Sequence, residues 1–361
     1  MIVHVGPSHI PLPARLGGAV ERRMLELAEA QARNGERVVV YSGGSGNGWR
    51  PYHGVSIRYL EGSRAGFAGR FIQDVRRLSA RVIHVHNRAE IAWCAKAAAL
   101  APTVLSCDYH FEPWRRYVLL RRSSKALWRR CLLASDRIAP VSDYCLEMHR
   151  EYWHLPAEKL TLIHNGVDCA RFRPDVTLRA EWRDRLRLDG RPMILYAGRL
   201  CAQKGTDLLV AAYRMLRRPA ALVVVGPCER FGKTQLSGLV DQVRAAGGVY
   251  LPPLDDVDMP GIYNACDVFV MPTRELEMFG MATIEAQACG KPVIASDHGG
   301  LRETVPESAG MRFRNGDAAH LASRLETVLE RSDFCAGALK SAARFDWPRI
   351  AQRCQEVYAT L

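Results

Sequence analysis

Short runs of Val, Ile and Leu alternate along the chain with longer stretches whose apolar residues return every three or four positions. IVHVG is followed by VERRMLELAEAQARNG and then by ERVVVYSG, which is the strand, helix, strand rhythm of a parallel sheet. In the first helical stretch Val20, Met24, Leu27 and Gln31 fall on one face, and Gly35 stands where a left-handed C-terminal cap is expected. The rhythm continues through RVIHVHN, PTVLSCDYH, DRIAPVS and KLTLIHNGVD, each read as a strand. A second series runs through PMILYAGRL, AALVVVGP, GVYLPPL, ACDVFVMP and KPVIASD. The pattern predicts an α/β protein with two doubly wound parallel sheets. The first domain is placed at 1–172 and a polar, Arg- and Asp-rich linker at 173–190. The second domain follows at 191–340, and a final amphipathic helix at 341–361, a candidate to pack back on the N-terminal domain, puts Ile350, Cys354, Val357 and Leu361 on one side.

Length and composition agree with two cores: 361 residues, 48% of them hydrophobic, exceed one typical domain. No apolar run reaches the length of a bilayer span, and MIVHVG opens as a strand rather than as a signal peptide, so a cytoplasmic protein is expected. Eleven cysteines without a C-x-x-C pair fit reduced thiols in cores better than disulfides or a zinc site. The net charge of +12 is uneven. Residues 1–175 hold 26 Lys and Arg against 16 Asp and Glu, whereas 176–361 hold 24 against 22. An anionic partner would be drawn to such a field, whether nucleic acid, a phosphorylated small molecule or an acidic membrane; ordinary solubilising charge explains it equally well.

The chemistry concentrates in RELEMFGMATIEAQACGKPVIASDHGG, residues 274–300, which carries Glu277 and Glu285 eight positions apart. Phe279 and Gly280 lead into good helix formers that stop at Gly290, so the order is loop, helix, cap, strand. If most of the step is helical, the two backbones lie up to roughly 12 Å apart. That is too far for a glycosidase pair or for two ligands of one metal. The carboxylates suit two ends of an elongated ligand. A helix N-terminus between them, with N–H groups at Phe279, Gly280 and Met281, would attract a phosphate, and each carboxylate would accept from adjacent sugar hydroxyls.

With AGRLCAQKG, HNGVDCARFRP and HGGLRETV, these residues form four motifs in an order that resembles the retaining glycosyltransferases of family 4. The likeness runs from Gly17 to Trp347. It implies the GT-B fold, two Rossmann-like domains facing a central cleft, with the nucleotide-sugar donor on the C-terminal domain and the acceptor on the N-terminal one. It also implies transfer of a sugar from a nucleotide diphosphate to an acceptor hydroxyl, with UDP the default by frequency in the family. On this resemblance Glu285 is the ribose-binding carboxylate and Glu277 the group that meets hydroxyls of the transferred sugar. Arg199 and Lys204 clamp the donor diphosphate, where fixed cations would stabilise a leaving group. Gly17 and Gly18 allow close backbone approach before a helix. Asn165 is read as structural.

Some features depart from the family. Many members place a His after the strand matching PTVLS; here SCDYHFEPW offers Asp108 and His110, both held as catalytic candidates, with His110 preferred. The Gly-rich nucleotide turn is altered to VVVGPCERFG, with Pro227 after Gly226. Asp256 and Asp258 form a D-x-D, but Asp258 before Met259, Pro260 and Gly261 reads as a helix N-cap. With two cations at the diphosphate, no metal or other cofactor is expected. The segment 114–130, WRRYVLLRRSSKALWRR, is either a basic amphipathic helix for peripheral membrane contact or a domain helix with its Trp and Leu inward; the second is preferred, and an anionic or lipid-linked acceptor would suit this surface. A dinucleotide-dependent oxidoreductase should show G-x-G-x-x-G after the first strand, and VGPSHIPLP does not. No nucleic-acid-binding module is recognisable, so no nucleic-acid partner is expected. Another GT-B enzyme, a sugar-nucleotide epimerase or a phosphorylase, is the nearest alternative.

Overall fold

In the computed structural model the described residues are 1–361 except 8–9, 15–17, 45, 64–65, 109–120, 229–236, 276 and 332, with the side chains of 121–124 and 237 also set aside. The chain divides into two units, one formed by Met1–Gly166 with Trp347–Leu361 and the other by Val167–Asp346.

The first unit has strands β1 (Ile2–Val5), β2 (Val38–Gly44), β3 (Gly48–Tyr52), β4 (Val55–Glu61), β5 (Val82–His86), β6 (Thr103–Cys107) and β7 (Arg137–Pro140). They lie in the order β3-β4-β2-β1-β5-β6-β7. Every pairing is parallel except β3 with β4, a hairpin that the alternation of strands and helices did not announce. KLTLIHNGVD, expected as a strand, makes only isolated bridges at Leu160 and Val167. Its N–H groups at Thr161 and Ile163 reach carbonyls of Ile138 and Pro140, but no continuous ladder forms. The helix Ala19–Arg33 buries Met24, Leu27 and Gln31, and Gly35 follows it at φ 86°, the left-handed stop that glycine permits.

The last helix, Trp347–Ala359, belongs to this unit and packs on Ala19–Arg33. Trp347, Ile350, Cys354, Val357 and Tyr358 are buried there. The Trp347 ring fills the place a side chain at Gly166 would need, since a Cβ there would lie 2.4 Å from it. Polar groups fix the register: the Gln31 amide donates to the Tyr358 hydroxyl at 3.2 Å, and Tyr358 meets Nδ1 of His84 at 2.5 Å.

Under that helix lie three stacked histidines. His4 and His84 are paired across β1 and β5, and His86 is two residues on. His4 bonds Gln31 at 2.7 Å and His86 at 2.9 Å, while His84 also meets Ser106 at 2.7 Å. Burial pushes His4 down to about 4, with the Gln31 bond opposing and the Arg23 charge adding, and it holds His84 and His86 well below the ordinary imidazole range. A group that resists protonation only when folded takes up protons on unfolding, so stability is lost as pH falls below about 6.5. For His4 alone the loss approaches about 3 kcal/mol by the time its folded value is reached. Among the described residues all the buried histidines, His149 included, lie in the first unit. We expect hydrogen exchange followed by mass spectrometry to show first-unit peptides losing protection between pH 6.5 and 4 before second-unit peptides do. Simultaneous loss, or the reverse order, would contradict this.

The second unit has β8 (Met193–Ala197), β9 (Ala221–Val225), β10 (Val249–Leu251), β11 (Val268–Met271), β12 (Val293–Ser296) and β13 (Gly310–Phe313), in the all-parallel order β10-β9-β8-β11-β12-β13. The segment 173–190, expected as a linker, is part of this unit. Its helix Val176–Arg185 is capped by Asp175 and packs on Met259–Ala265. Trp182 occupies the space beside Gly261, where a Cβ would meet its ring nitrogen at 2.0 Å. Arg179 and Arg183 both grip Asp267. The stretch is polar because its arginines pair inward, not because it is free in solvent.

Candidate active site

In an open parallel sheet, ligands bind beyond the carboxyl ends of strands where the winding reverses. The second sheet reverses between β8 and β11, since the chain runs outward from β8 to β9 and β10 and returns to β11. The loop after β8 carries Arg199 and Lys204; the loop after β11 carries Glu277. These loops meet. Lys204 Nζ donates to Glu277 Oε2 at 2.5 Å, and both side chains keep about a fifth of their surface exposed. Arg199, on the same loop as Lys204, is exposed, and its carbonyl accepts the Tyr196 hydroxyl at 2.6 Å.

The two loops are joined backbone to backbone. Gly205 ends the short 3-10 turn Ala202–Lys204 at φ 70°, and a Cβ there would lie 2.0 Å from the Pro272 carbonyl oxygen. The Gln203 carbonyl accepts from the Arg274 amide at 2.8 Å and from the Thr273 hydroxyl at 3.1 Å. Arg274 forks onto Asp207 at 2.5 and 2.7 Å, and Asn315 donates to the Arg274 carbonyl at 2.9 Å. Burial raises the Asp207 carboxyl, yet its bonds to Arg274 outweigh that and leave it below the usual range. Such a bidentate ion pair gives direction as well as energy.

A third loop supports Glu277 from behind. The Gly300 amide donates to the Glu277 carbonyl at 2.8 Å. Neither Gly299 nor Gly300 has room for a side chain: a Cβ would come within 2.4 Å of the Glu277 oxygen and 2.1 Å of the Met278 oxygen respectively. His298 donates through Nε2 to the Thr273 carbonyl at 3.0 Å. The Gly-Gly of HGGLRETV is thus a close-approach pair that sets the position of the acidic loop.

Glu285 is one turn into the helix Met281–Ala288, is 4% exposed, and accepts from the Tyr263 hydroxyl at 2.8 Å. Only the second half of the step from Glu277 is helical, because Gly280 at φ 87° begins the helix as its N-cap. Four helical residues rise roughly 6 Å, so the two carboxylates are held by different elements. Phe279 is buried against Phe345, and its carbonyl accepts from Thr304 at 3.1 Å. Gly280 accepts from the Thr283 hydroxyl at 2.6 Å. Met281 opens the helix, and no side chain caps its first turn.

In the first sheet the winding reverses between β1 and β5. Asp108 lies just beyond β6, and its carboxylate is already engaged: Arg23, 1% exposed, donates to Oδ1, and the Asn87 amide donates to Oδ2 at 2.9 Å. Burial lowers Arg23 to about 10. Gly18, at φ 71°, is the N-cap of Ala19–Arg33 and accepts from the Arg22 amide at 2.8 Å. Asn165 is buried. Gly17 and His110 lie outside the described residues, as do residues 114–120 of the basic segment. In its described part, Lys125 stands 3.8 Å over the Tyr152 ring, Arg129 donates to carbonyls of Trp153 and His154, and Trp128 packs on the core while Leu127 is 58% exposed. The expected capping by Asp258 is not made: the turn Asp256–Asp258 is 3-10, and the helix Met259–Ala265 starts with no side-chain cap, though Pro260 sits in its first turn. The 3-10 turn leads straight into the helix, so Asp258 adopts helical dihedrals rather than the extended backbone a capping side chain needs.

Tyr263, Asp207, Arg23 and Asn87 are contributors that sequence reasoning missed. Each contacts its partner across 21 to 85 positions, and Tyr263 reads as an ordinary aromatic in PGIYNACD. Among the described residues the one cluster that suggests a metal is His4, His84 and His86, whose ring nitrogens lie within 4.8 Å of one another. His84 and His86 stack at 4.4 Å and 14°, so their in-plane lone pairs run side by side instead of converging on one point. Their bonds to Gln31, Ser106 and Tyr358 fit a polar core.

The family described as glycosyl transferases group 1 matches residues 179–345, and Glycosyltransferase Family 4 matches residues 16–171. A D-inositol 3-phosphate glycosyltransferase of Thermobispora bispora is 29% identical, over 99% of this chain and 92% of that protein. A GDP-mannose-dependent alpha-(1-6)-phosphatidylinositol monomannoside mannosyltransferase of Mycobacterium tuberculosis is 35% identical over 58% of this chain and 56% of its own. The crystal structure of Anabaena HepE in complex with UDP matches all of both chains with a TM-score of 0.82 at 18% identity, a likeness of fold.

Proposed function

The chain belongs to the glycosyl transferases group 1 family and has the GT-B fold, and from that premise we propose a retaining glycosyltransferase that moves a sugar from a nucleotide diphosphate to an acceptor hydroxyl. The observation that carries this reading is the contact between Lys204 and Glu277 at the switch point of the second sheet, with Glu285 held separately by Tyr263. Glu277, then Lys204 with the helix start, then Glu285 follow one another as sugar, diphosphate and ribose would along the donor.

In this proposal the second unit holds the donor and the first the acceptor. The acceptor oxygen attacks C1 of the sugar on the face from which the diphosphate departs. The bond from C1 to the phosphate oxygen breaks, and that oxygen takes the acceptor proton. Lys204 and Arg199 stabilise the charge that develops on the diphosphate, and Glu277 orients the sugar through its hydroxyls. The amides at Phe279, Gly280 and Met281, where the helix begins, would meet the diphosphate, and Gly18 and Gly17 are retained as close-approach candidates of the first unit. Asp108, neutralised by Arg23, serves as a positioning group, and His110 stays a candidate contact to the sugar. An anionic acceptor fits the basic first half, in keeping with relatives named for inositol phosphate and phosphatidylinositol. We place the enzyme in the cytoplasm, with 114–130 as the segment that would touch a membrane; among the described residues no helix is long and apolar enough to cross one.

A thermal-shift panel of UDP, GDP, ADP, TDP and their sugars tests the reading, since a ligand bound only by the folded state raises apparent stability. UDP is the first choice, though one relative is named for GDP-mannose. Silence across the whole panel would count against a donor site. An epimerase or phosphorylase would instead interconvert donor sugars or release sugar phosphate without an acceptor. Transfer should survive EDTA, and inhibition by EDTA reversed with manganese or magnesium would contradict metal independence.

The two carboxylates should separate in calorimetry. Glu285→Ala is expected to weaken nucleoside diphosphate binding about tenfold, in line with a charge-assisted bond of roughly 1.5 kcal/mol, whereas Glu277→Ala should spare that affinity and lower turnover. Equal losses of affinity would reject the division of labour.

A further inference from the structure

β13 is the edge strand of the second sheet, and a groove of about 550 Å³ runs beside it, walled by the strand, by the helix Ala318–Glu330 and by the start of Phe334–Ala342. It is lined by Arg312, Arg314, Arg324, Arg331 and His320, with Asp297 and Glu307 as its acids. The arginines are occupied to different degrees. Arg312 bonds Asp297 at 3.2 Å and donates to the Val305 carbonyl at 2.7 Å. Arg314 and Arg331 pair at the exposed rim with Asp317 and Asp333. Arg324 has no carboxylate partner among the described residues, and its Nε is buried without a hydrogen bond.

A buried charged donor without an acceptor is costly, and native structures rarely leave one unmet unless something else meets it. His320 stands beside it. Its Nδ1 accepts the Arg314 amide at 3.0 Å, which leaves the ring proton on Nε2 as a second donor. Burial, followed by the charges of Arg324 and Arg314, pushes this imidazole below its ordinary range. The groove is large enough for a small molecule rather than a bare ion, and guanidinium groups present the planar forks that phosphate oxygens accept best.

We propose that this groove binds a phosphate-bearing small molecule, with Arg324 and the Nε2–H of His320 as inner donors and Arg314 and Arg331 as rim cations. It shares no residue with Lys204, Glu277 or Arg199, so it stands apart from the donor site. Its wall residue Asp297 directly precedes the His298-Gly299-Gly300 turn that supports Glu277.

The test is an NMR titration of the His320 imidazole in the full chain with inorganic phosphate and glycerol 3-phosphate, against chloride at equal ionic strength. His320→Asn supplies the assignment. A saturable shift is expected with both phosphates, unchanged in Lys204→Ala, with affinity at least tenfold weaker in Arg324→Gln and intermediate in Arg324→Lys. If Arg324→Gln fails to fold, Arg331→Gln replaces it and should weaken binding at least threefold. The proposal falls if chloride gives the same shift, if phosphate leaves His320 unmoved, if Lys204→Ala abolishes the effect, or if the folded arginine variant binds as the parent does.

Discussion

Lys204→Ala should fold, retain measurable affinity for the nucleoside diphosphate, and lose transfer by about a hundredfold at saturating donor, the effect of roughly 3 kcal/mol in the barrier. A departing diphosphate gains negative charge as its bond to the sugar breaks, so a fixed ammonium binds the transition state more tightly than the ground state. The contact with Glu277 at 2.5 Å adds a second consequence. Lys204 also holds the carboxylate that orients the sugar, and its removal leaves Glu277 without that partner. The two residues act as a unit, and effects within a unit do not add. The double variant Lys204→Ala with Glu277→Ala should therefore be little worse than the poorer single one. Lys204→Arg should recover only part of the activity, because a planar guanidinium does not occupy the place of a compact ammonium. Transfer within threefold of the parent in well-folded Lys204→Ala, or full multiplication of the two single losses, would remove Lys204 from the site.

Gly300→Ala is expected to lower transfer on a similar scale for a steric reason. Gly300 has φ −66°, which alanine adopts freely, so backbone strain plays no part. The added methyl would stand 2.1 Å from the Met278 oxygen and 3.0 Å from the Phe279 Cα. Those are backbone atoms, and close-packed interiors do not absorb such an overlap without moving the loop. A shift of about 1 Å in the loop that carries Glu277 is enough to cost roughly a hundredfold in a positioned reaction. Gly247→Ala is the matched control in the same unit. Its φ of 78° disfavours alanine, but nothing lies within 4 Å, so it should cost about 1 kcal/mol of stability and leave transfer unchanged. Parent-like transfer in Gly300→Ala would show that the Gly-Gly turn does not position the acidic loop.

Local physics determined much of this protein from the letters alone. Short continuous apolar runs mark ten of the strands, because strands of a parallel sheet are covered on both faces, and a period-3.6 face marks the helix Ala19–Arg33, because only one side of it meets the core. The stops at Gly35 and Gly290 follow from the left-handed backbone they adopt. The motifs singled out Arg199, Lys204 and Glu277 in loops after strands and Glu285 in the helix that follows. The tertiary structure decided the rest. It joined Lys204 to Glu277 across 73 positions and Tyr263 to Glu285 across 22. It put Arg23 on Asp108 across 85, turned the supposed linker into a packed helix, and set the partners of the final helix in the first unit, where Tyr358 meets His84 across 274. Three histidines inside apolar strand runs became a polar stack, and Gly299 and Gly300 gained their reason only from carbonyls more than twenty residues earlier. Periodicity records whether a residue faces the core; which distant residue it meets there depends on strand order, and no local repeat carries that information.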